Sequence, residues 1–143
     1  MKPLSYRYEE IPEGLTHSFQ VSLNQDMVDA FRTLTGDHNP LHKDDDFAKA
    51  VSEGKYERHV VFGMLTASFY STLAGMFIPG TYSVIHSVDI KFLNPVYDSD
   101  ILTIEGTVAS KNDALHLLLI KAVIKNQDGK KVSSAKMQVI CLK

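Results

Sequence analysis

The sequence predicts an α+β fold in which an antiparallel β-sheet wraps around one long buried helix. Residues 62–77 are apolar almost all round, which is typical of a helix that is covered on every side. Four strand-like runs then follow one another with no helical segment between them. An apolar sheet face needs a second layer to cover it, so the helix is predicted to lie against the inner face of the sheet.

A strand and an amphipathic helix are predicted before this buried helix. Leu15–Val21 has the character of a strand, and Ser22–Gln25 has the form of a capping box, in which two side chains accept backbone N–H groups of the first helical turn. Gly36 is predicted to end the helix in a left-handed conformation. The helix has an apolar stripe at helical spacing, formed by Met27, Val28, Phe31 and Leu34.

A second, short helix is predicted from Asp44 through Ala50. It opens with three consecutive carboxylates, Asp44–Asp46, at the end where the helix dipole favours negative charge. The three residues lack the loop glycine and the spaced oxygen ligands of a calcium site, so we interpret them as helix-capping residues. No His, Cys and Asp residues elsewhere have metal-ligand spacing on one element, and the sequence predicts no bound metal.

The C-terminal half is predicted to form the remaining strands of the sheet. These strands are Tyr82–Phe92, Ile101–Ala109, Leu115–Ile124 and Val132–Leu142. The first of them alternates between apolar and mostly polar residues, which places His86 on its covered face. The third is apolar on both faces in its first half, which is typical of a central strand. Asp128-Gly129 predicts a hairpin turn before the last strand.

Length and composition restrict the kind of protein this is. The 143 residues fit one domain, 1–143, and 44% apolar content is ample for a core. A net charge of -2 with scattered lysines predicts no nucleic-acid partner. The sequence contains no apolar run of membrane-spanning length and no signal-peptide pattern, so we expect no membrane partner. Lone Cys141 excludes an intrachain disulfide and fits a reducing compartment, so we expect a soluble cytoplasmic protein.

The segment Leu34–His42 contains the strongest candidate for chemistry. Asp37 and His42 are five positions apart, across an Asn39-Pro40 turn that restricts the backbone. A carboxylate and an imidazole placed in this way can hold a water molecule and exchange protons with it near neutral pH. Alternatively, Asp37 caps a turn and His42 is a partly buried surface histidine, and spacing by itself favours this second interpretation.

Three segments of the chain resemble one family. The run Thr35–His42, with Ala48 six residues later, resembles the hydratase motif of the MaoC-like dehydratases and (R)-specific enoyl-CoA hydratases. Arg58–Ser68 is similar to the second segment of that family, with Phe62 where a histidine is common. Val88–Tyr97 is similar to the family strand that ends in a phenylalanine and a proline-valine turn. The resemblance extends from about residue 15 to the C-terminus.

The resemblance implies a fold, an assembly and a reaction. The fold is the hot-dog fold, with an additional helical segment that contains the hydratase motif. The assembly is a homodimer, or an oligomer built from dimers, in which two sheets join edge to edge. The reaction is the reversible hydration of a trans-2-enoyl thioester to the (R)-3-hydroxyacyl thioester by a hydro-lyase of fatty acid metabolism. The substrate is carried on coenzyme A or acyl carrier protein, and no separate cofactor is implied.

The resemblance also implies roles for individual residues. Asp37 and His42 hold the reacting water, one as base and the other supplying or orienting the proton. The backbone N–H of Gly63 receives the enolate oxygen, although this glycine alternatively serves only a tight helix start. Asn39 either supports the loop by side-chain hydrogen bonds or is an ordinary turn residue. Ser71 is the candidate wall of the acyl pocket; alternatively, small residues here let the helix approach the sheet.

Two other functions remain open at this point: a non-catalytic acyl-thioester-binding hot-dog protein, and a hot-dog thioesterase. The complete pairing of Asp37 with His42 favours the hydratase, because a binding protein needs neither proton-transfer group. Phe62 stands where the family commonly has a histidine; if that histidine helps to hold the loop, this support is absent here, but both proton-handling residues remain in place. His59 precedes the buried helix and is expected to meet either a substrate phosphate or the solvent.

Overall fold

The computed structural model describes residues 1–143, which form a five-stranded antiparallel sheet packed against helices. The strands are β1 (Thr16–Ser22), β2 (Ser83–Phe92), β3 (Ile101–Asn112), β4 (Leu117–Lys125) and β5 (Lys131–Cys141). Their order across the sheet is β1-β3-β4-β5-β2. The strand that is apolar on both faces, β4, is therefore central, which confirms its predicted position. The two edges of the sheet are β1 and β2.

The chain has three α-helices, α1 (Gln25–Thr35), α2 (Asp45–Val51) and α3 (Gly63–Thr72), of which α3 lies against the sheet. A π-helical turn, Leu73–Phe77, extends α3. Leu73 and Tyr70 are buried in the core, and the Tyr70 hydroxyl donates to Ser133 Oγ on β5 over 2.9 Å. A Cβ atom on Gly106 of β3 would lie 2.5 Å from Leu73 Cδ2, so glycine is needed where the helix approaches the sheet. The predicted arrangement of sheet and helix is confirmed.

The prediction that this helix is buried on every side is wrong for the single chain. One stripe of α3 is exposed, with Met64 at 61% exposure, and we name it the outer stripe. Its members are Met64, Ser68 and Ser71, at helical spacing. The sheet covers only the opposite side of the helix. The exposed side carries a methionine and two small serines, so the sequence shows no charged face that would have indicated its exposure.

Helix α1 begins differently from its prediction. Its N-cap is Asn24, whose Oδ1 accepts the N–H of Met27 over 2.9 Å. The predicted capping box is wrong because Ser22 is still paired with Ile101 in the sheet. Gly36 ends the helix with φ of 72°, as predicted.

The apolar stripe of α1 is shorter than predicted. Val28 is fully buried, but Leu34 is 81% exposed. Arg32 is buried instead, with 8% exposure, because its guanidinium reaches the backbone of the following loop. Helix α2 follows its prediction, since Asp44 Oδ1 caps it by accepting the N–H of Phe47.

Edge strand β2 departs from regular alternation. Its pairing with β5 shifts register between Ile85 and Ser87, and His86 is exposed rather than facing the core. An extra residue in one strand of a pair reverses the faces beyond it, which explains the error. Val84 and Ile85 are 44% and 37% exposed on this strand, whose outer edge has no partner strand.

The N-terminal segment contacts the turn after α3 through Leu4, whose N–H donates to the Met76 carbonyl over 2.9 Å. Tyr8 is buried beside the turn between β3 and β4, where its ring stacks on His116 at 4.3 Å and its hydroxyl donates to Asp113 Oδ1 over 2.7 Å. Burial, and next the bond to Asp113, raise the pKa of Tyr8 to about 12. None of the helices is both long and apolar enough to cross a lipid bilayer.

Candidate active site

The loop between α1 and α2 is shaped by its own side chains. Asp37 Oδ1 accepts the N–H of Asn39 over 3.0 Å, and Asn39 Oδ1 accepts the N–H of Leu41 over 2.9 Å. The second bond caps a 3-10 turn, Pro40–His42. Asn39 thus makes the side-chain hydrogen bond that was expected of it. Asp37 does cap a turn through one carboxylate oxygen, but it is exposed and its other oxygen has no protein partner.

His42 is held through both its ring and its backbone. Its Nδ1 lies 2.8 Å from the carbonyl oxygen of Val60, and since a carbonyl only accepts, Nδ1 carries the proton. Nε2 is therefore left with a lone pair. Arg32 Nη2 donates to the His42 carbonyl over 3.0 Å, and the Val60 N–H donates to the Leu41 carbonyl over 3.1 Å. The imidazole is thus fixed in one tautomer with an accepting nitrogen.

Phe62 supplies packing where the family commonly has a histidine. It is 3% exposed, and its ring centroid lies 4.1 Å from that of His42, at an interplanar angle of 32°. Phe31 lies on the Phe62 ring as well, at 5.1 Å. The His42 ring is thereby supported by van der Waals contact with an apolar side chain.

Two adjoining cavities meet at His42 and Gly63. The smaller, of about 280 Å³, is lined by Asp37, His42 and Gly63 together, with Phe31 and Met64 among the other residues. The structure therefore brings the three predicted reacting groups to one cavity.

The larger cavity has a volume of about 310 Å³ and also contains His42 and Gly63 in its wall. Phe92 lines both cavities. The remaining polar side chains of the larger cavity are Lys55, Tyr56, Thr66 and Asn94. The two cavities thus share three lining residues, His42, Gly63 and Phe92.

Gly63 is the first residue of α3, a helix of ten residues. Its N–H donates to no protein group, as expected for the first turn of a helix, and the helix dipole makes this end electropositive. A Cβ atom at this position would lie 3.1 Å from the ring of Phe92. Both predicted reasons for this glycine are thus present: a tight helix start and a free donor.

Ser71 lies away from these groups. It is exposed on the outer stripe of α3, two turns after Gly63, and it lines neither cavity. Its role as a wall of the acyl pocket stays a prediction.

His59 contacts carboxylates of its own chain. Its Nδ1 lies 2.6 Å from Asp45 Oδ1, and its Nε2 approaches Asp98 Oδ2 to 3.4 Å without forming a hydrogen bond. Arg58 Nη1 pairs with the same Asp98. The backbone N–H of His59, and next its side chain, hold the pKa of Asp45 below its usual value. His59 thus contacts carboxylates of its own chain rather than lying open to the solvent, and its contact with a substrate phosphate stays a prediction.

Sequence reasoning missed two residues at this site. Arg32 holds the His42 backbone. Its position among the apolar residues of the α1 stripe could have indicated from the sequence that it is buried and bonded. Thr66 lines the larger cavity three residues after Gly63, and this spacing alone places it on the same helix face.

Comparison with known proteins assigns the chain to a family. The sequence profile of the MaoC like domain matches residues 9–128. The chain belongs to this MaoC-like family. The (R)-specific enoyl-CoA hydratase of Aeromonas caviae is 35% identical over 102 residues, which are 71% of this chain and 74% of that protein. The (R)-specific enoyl-CoA hydratase of Rhodospirillum rubrum is 30% identical over 101 residues, which are 71% of this chain and 68% of that protein.

A solved structure shares the fold of this MaoC-like chain. The (R)-hydratase from A. caviae superposes with a TM-score of 0.86 at 28% identity, covering 93% of this chain and 98% of that one. The predicted hot-dog fold is therefore confirmed.

Proposed function

We propose that this MaoC-like protein reversibly hydrates trans-2-enoyl thioesters to (R)-3-hydroxyacyl thioesters. It is a hydro-lyase, the class to which its named relatives belong. The observation that carries the proposal is the smaller cavity, where Asp37, His42 and the free N–H of Gly63 line one space. The carrier of the acyl group, the link to fatty acid metabolism and a cytoplasmic location stay predictions.

The geometry supports the following chemistry. A water molecule lies between Asp37 and His42, and His42 Nε2 accepts its proton while its oxygen bonds to C3 of the enoyl group. Asp37 orients this water by accepting its other hydrogen. The π electrons of the C2=C3 bond move toward the thioester oxygen, which becomes negative and accepts a hydrogen bond from Gly63. The proton then passes to C2 as the enolate collapses, so that one hydrogen and one hydroxyl have been added.

We propose that the protein works as a homodimer joined through β2. This strand has an unpaired edge and exposes Val84 and Ile85, and unpaired edges are hazards that pairing removes. We expect light scattering at micromolar concentration to give the mass of a dimer or of a multiple of it. A monomer at that concentration would contradict the assembly, though not the chemistry.

The test of the function is hydration of crotonyl-CoA and of the matching acyl-carrier-protein thioester, with chiral analysis of the product. Asp37→Asn keeps the shape of the side chain but removes its charge, so we expect a loss of about 10²–10⁴-fold in turnover with the fold retained. Asp46→Asn is the matched control, because Asp46 is exposed and lines neither cavity. This control should keep the activity of the wild type.

The same assay separates the other functions. Release of free thiol from the thioester would identify a thioesterase. Binding of the thioester without any product would identify a non-catalytic binder. Near wild-type turnover of Asp37→Asn would remove Asp37 from the mechanism.

A further inference from the structure

Thr66 carries a buried hydroxyl without a hydrogen-bond partner. The residue is 2% exposed, and its Oγ1 bonds to no protein atom. A helical threonine often bonds the carbonyl four residues earlier, but the Phe62 carbonyl here accepts the N–H groups of Leu65 and Thr66. A buried hydroxyl that makes no bond destabilises a fold, so its presence here is explained if it bonds to a molecule that enters the cavity.

The position of Thr66 connects this hydroxyl with the proposed reaction. Thr66 lines the larger cavity together with His42 and Gly63. Side chains of a helix lean toward its N-terminus, so a residue three positions after Gly63 lies over the first turn, where the glycine has no side chain of its own. Threonine in a helix populates two χ1 rotamers, which allows the hydroxyl to turn toward an acceptor in the cavity.

The other polar side chains of the larger cavity are less suited to this use. Asn94 already donates through Nδ2 to the Lys131 carbonyl over 2.6 Å. Lys55 is exposed and Tyr56 is only half-buried. Thr66 is thus the buried donor that remains free.

We propose that the Thr66 hydroxyl donates a second hydrogen bond to the thioester oxygen, beside the N–H of Gly63. This role rests on the proposed hydration of enoyl thioesters. Negative charge builds on that oxygen in both directions of the reaction, and two fixed donors in a buried site stabilise it better than one. Thr66 takes no proton and does not touch the water between Asp37 and His42.

The experiment compares Thr66→Val with Thr66→Ser on crotonyl-CoA. Valine has nearly the same shape without the hydroxyl, so we expect kcat to fall by about 10²-fold while KM changes much less, since the bond forms mainly in the transition state. Serine keeps the donor and should retain most of the activity. The pH profile of Thr66→Val should match that of the wild type. Its Tm should equal or exceed the wild-type value, because no protein hydrogen bond is lost.

Ser68→Ala is the matched control on the same helix. Ser68 is exposed, and its hydroxyl donates to the Leu65 carbonyl over 2.6 Å, outside both cavities. Its activity should equal that of the wild type.

Three outcomes would overturn the role of Thr66. These are wild-type kcat in Thr66→Val, equal losses in Thr66→Val and Thr66→Ser, and a lower Tm in Thr66→Val, which would show a packing role. A wild type that hydrates no enoyl thioester would overturn the proposed function and this role with it. An active wild type with an inactive Asp37→Asn and an unimpaired Thr66→Val would overturn the role of Thr66 alone.

Discussion

His42 and His59 are tied to the same short segment of chain, yet their surroundings are opposite. His42 contacts a carbonyl oxygen and an aromatic ring, and neither carries a charge. His59 lies between the carboxylates of Asp45 and Asp98. The ring of His42 keeps Nε2 free to face the smaller cavity. The ring of His59 has a carboxylate beside each nitrogen, which makes it a structural link between two parts of the chain.

The two regions are also mechanically connected. His59 directly precedes Val60, whose carbonyl fixes the tautomer of His42. The network around His59 joins α2 to this segment through Asp45, and Arg58 joins the segment to the turn before β3 through Asp98. The contacts of His59 and Arg58 with carboxylates therefore hold in place the backbone of Val60, whose carbonyl bonds His42. The contacts around His59 and the ring packing around His42 can be changed separately.

The largest effect is expected from removing the base itself. His42→Ala should retain the fold and lose about 10²–10⁴-fold in kcat/KM, because general acid–base groups contribute that much. When Asp37→Asn is added, the two losses should not multiply, since we propose that both residues act on one water. Kinetics of the single and double variants measure this, and full multiplicativity would argue against a shared water.

A more selective loss is expected from Ser71→Phe, far from both histidines. If Ser71 borders the acyl tail, a phenyl ring in its place should reduce turnover of long enoyl thioesters by roughly tenfold or more, the scale of a pocket misfit. Crotonyl-CoA hydration should be nearly unchanged. The ratio of kcat/KM for long and short substrates is the measurement. Equal losses on both, in a folded protein, would show that acyl length is recognised elsewhere.

The smallest effect is expected from Asp45→Asn, which weakens only the contacts between Asp45 and His59. The pKa of Asp45 is lowered, so its ionised form stabilises the folded state above the usual value of 3.8, and this contribution disappears as the pH falls through the lower folded pKa. The variant should therefore have a lower Tm than the wild type at neutral pH, and the difference should vanish in acid. Hydration activity should change little. A Tm difference that persists unchanged in acid would mean that the carboxylate charge is not its source.

Local patterns predicted much of this molecule. Gly36, the Asp128-Gly129 turn and the central β4 strand follow from neighbouring residues, and Asp37, Asn39 and His42 lie in one short motif that forms its own hydrogen bonds. Backbone geometry within such a segment depends on few distant contacts, so the sequence is informative there.

The errors share a different cause. Ser22 stays in the sheet because Ile101 pairs with it, and His59 is surrounded because Asp98, from another part of the chain, reaches it. His86 turned outward because β2 shifts its register with β5. These contacts join residues that are distant in sequence, and no periodicity within one segment encodes them. The spacing of Thr66 from Gly63 places both on one helix face, but its lack of a hydrogen-bond partner depends on the whole cavity wall and is not encoded locally.

Phe92 links two properties of the protein that are usually measured separately. Its ring packs 3.1 Å from the place where a Gly63 side chain would begin, and it lines both cavities. Phe92 is also the last residue of β2, the strand proposed to join two subunits. A β2 strand released from its partner would therefore disturb the wall beside Gly63, the proposed oxyanion donor. The activity per mole of enzyme would then fall on dilution, so that the protein's own concentration sets how well each molecule works.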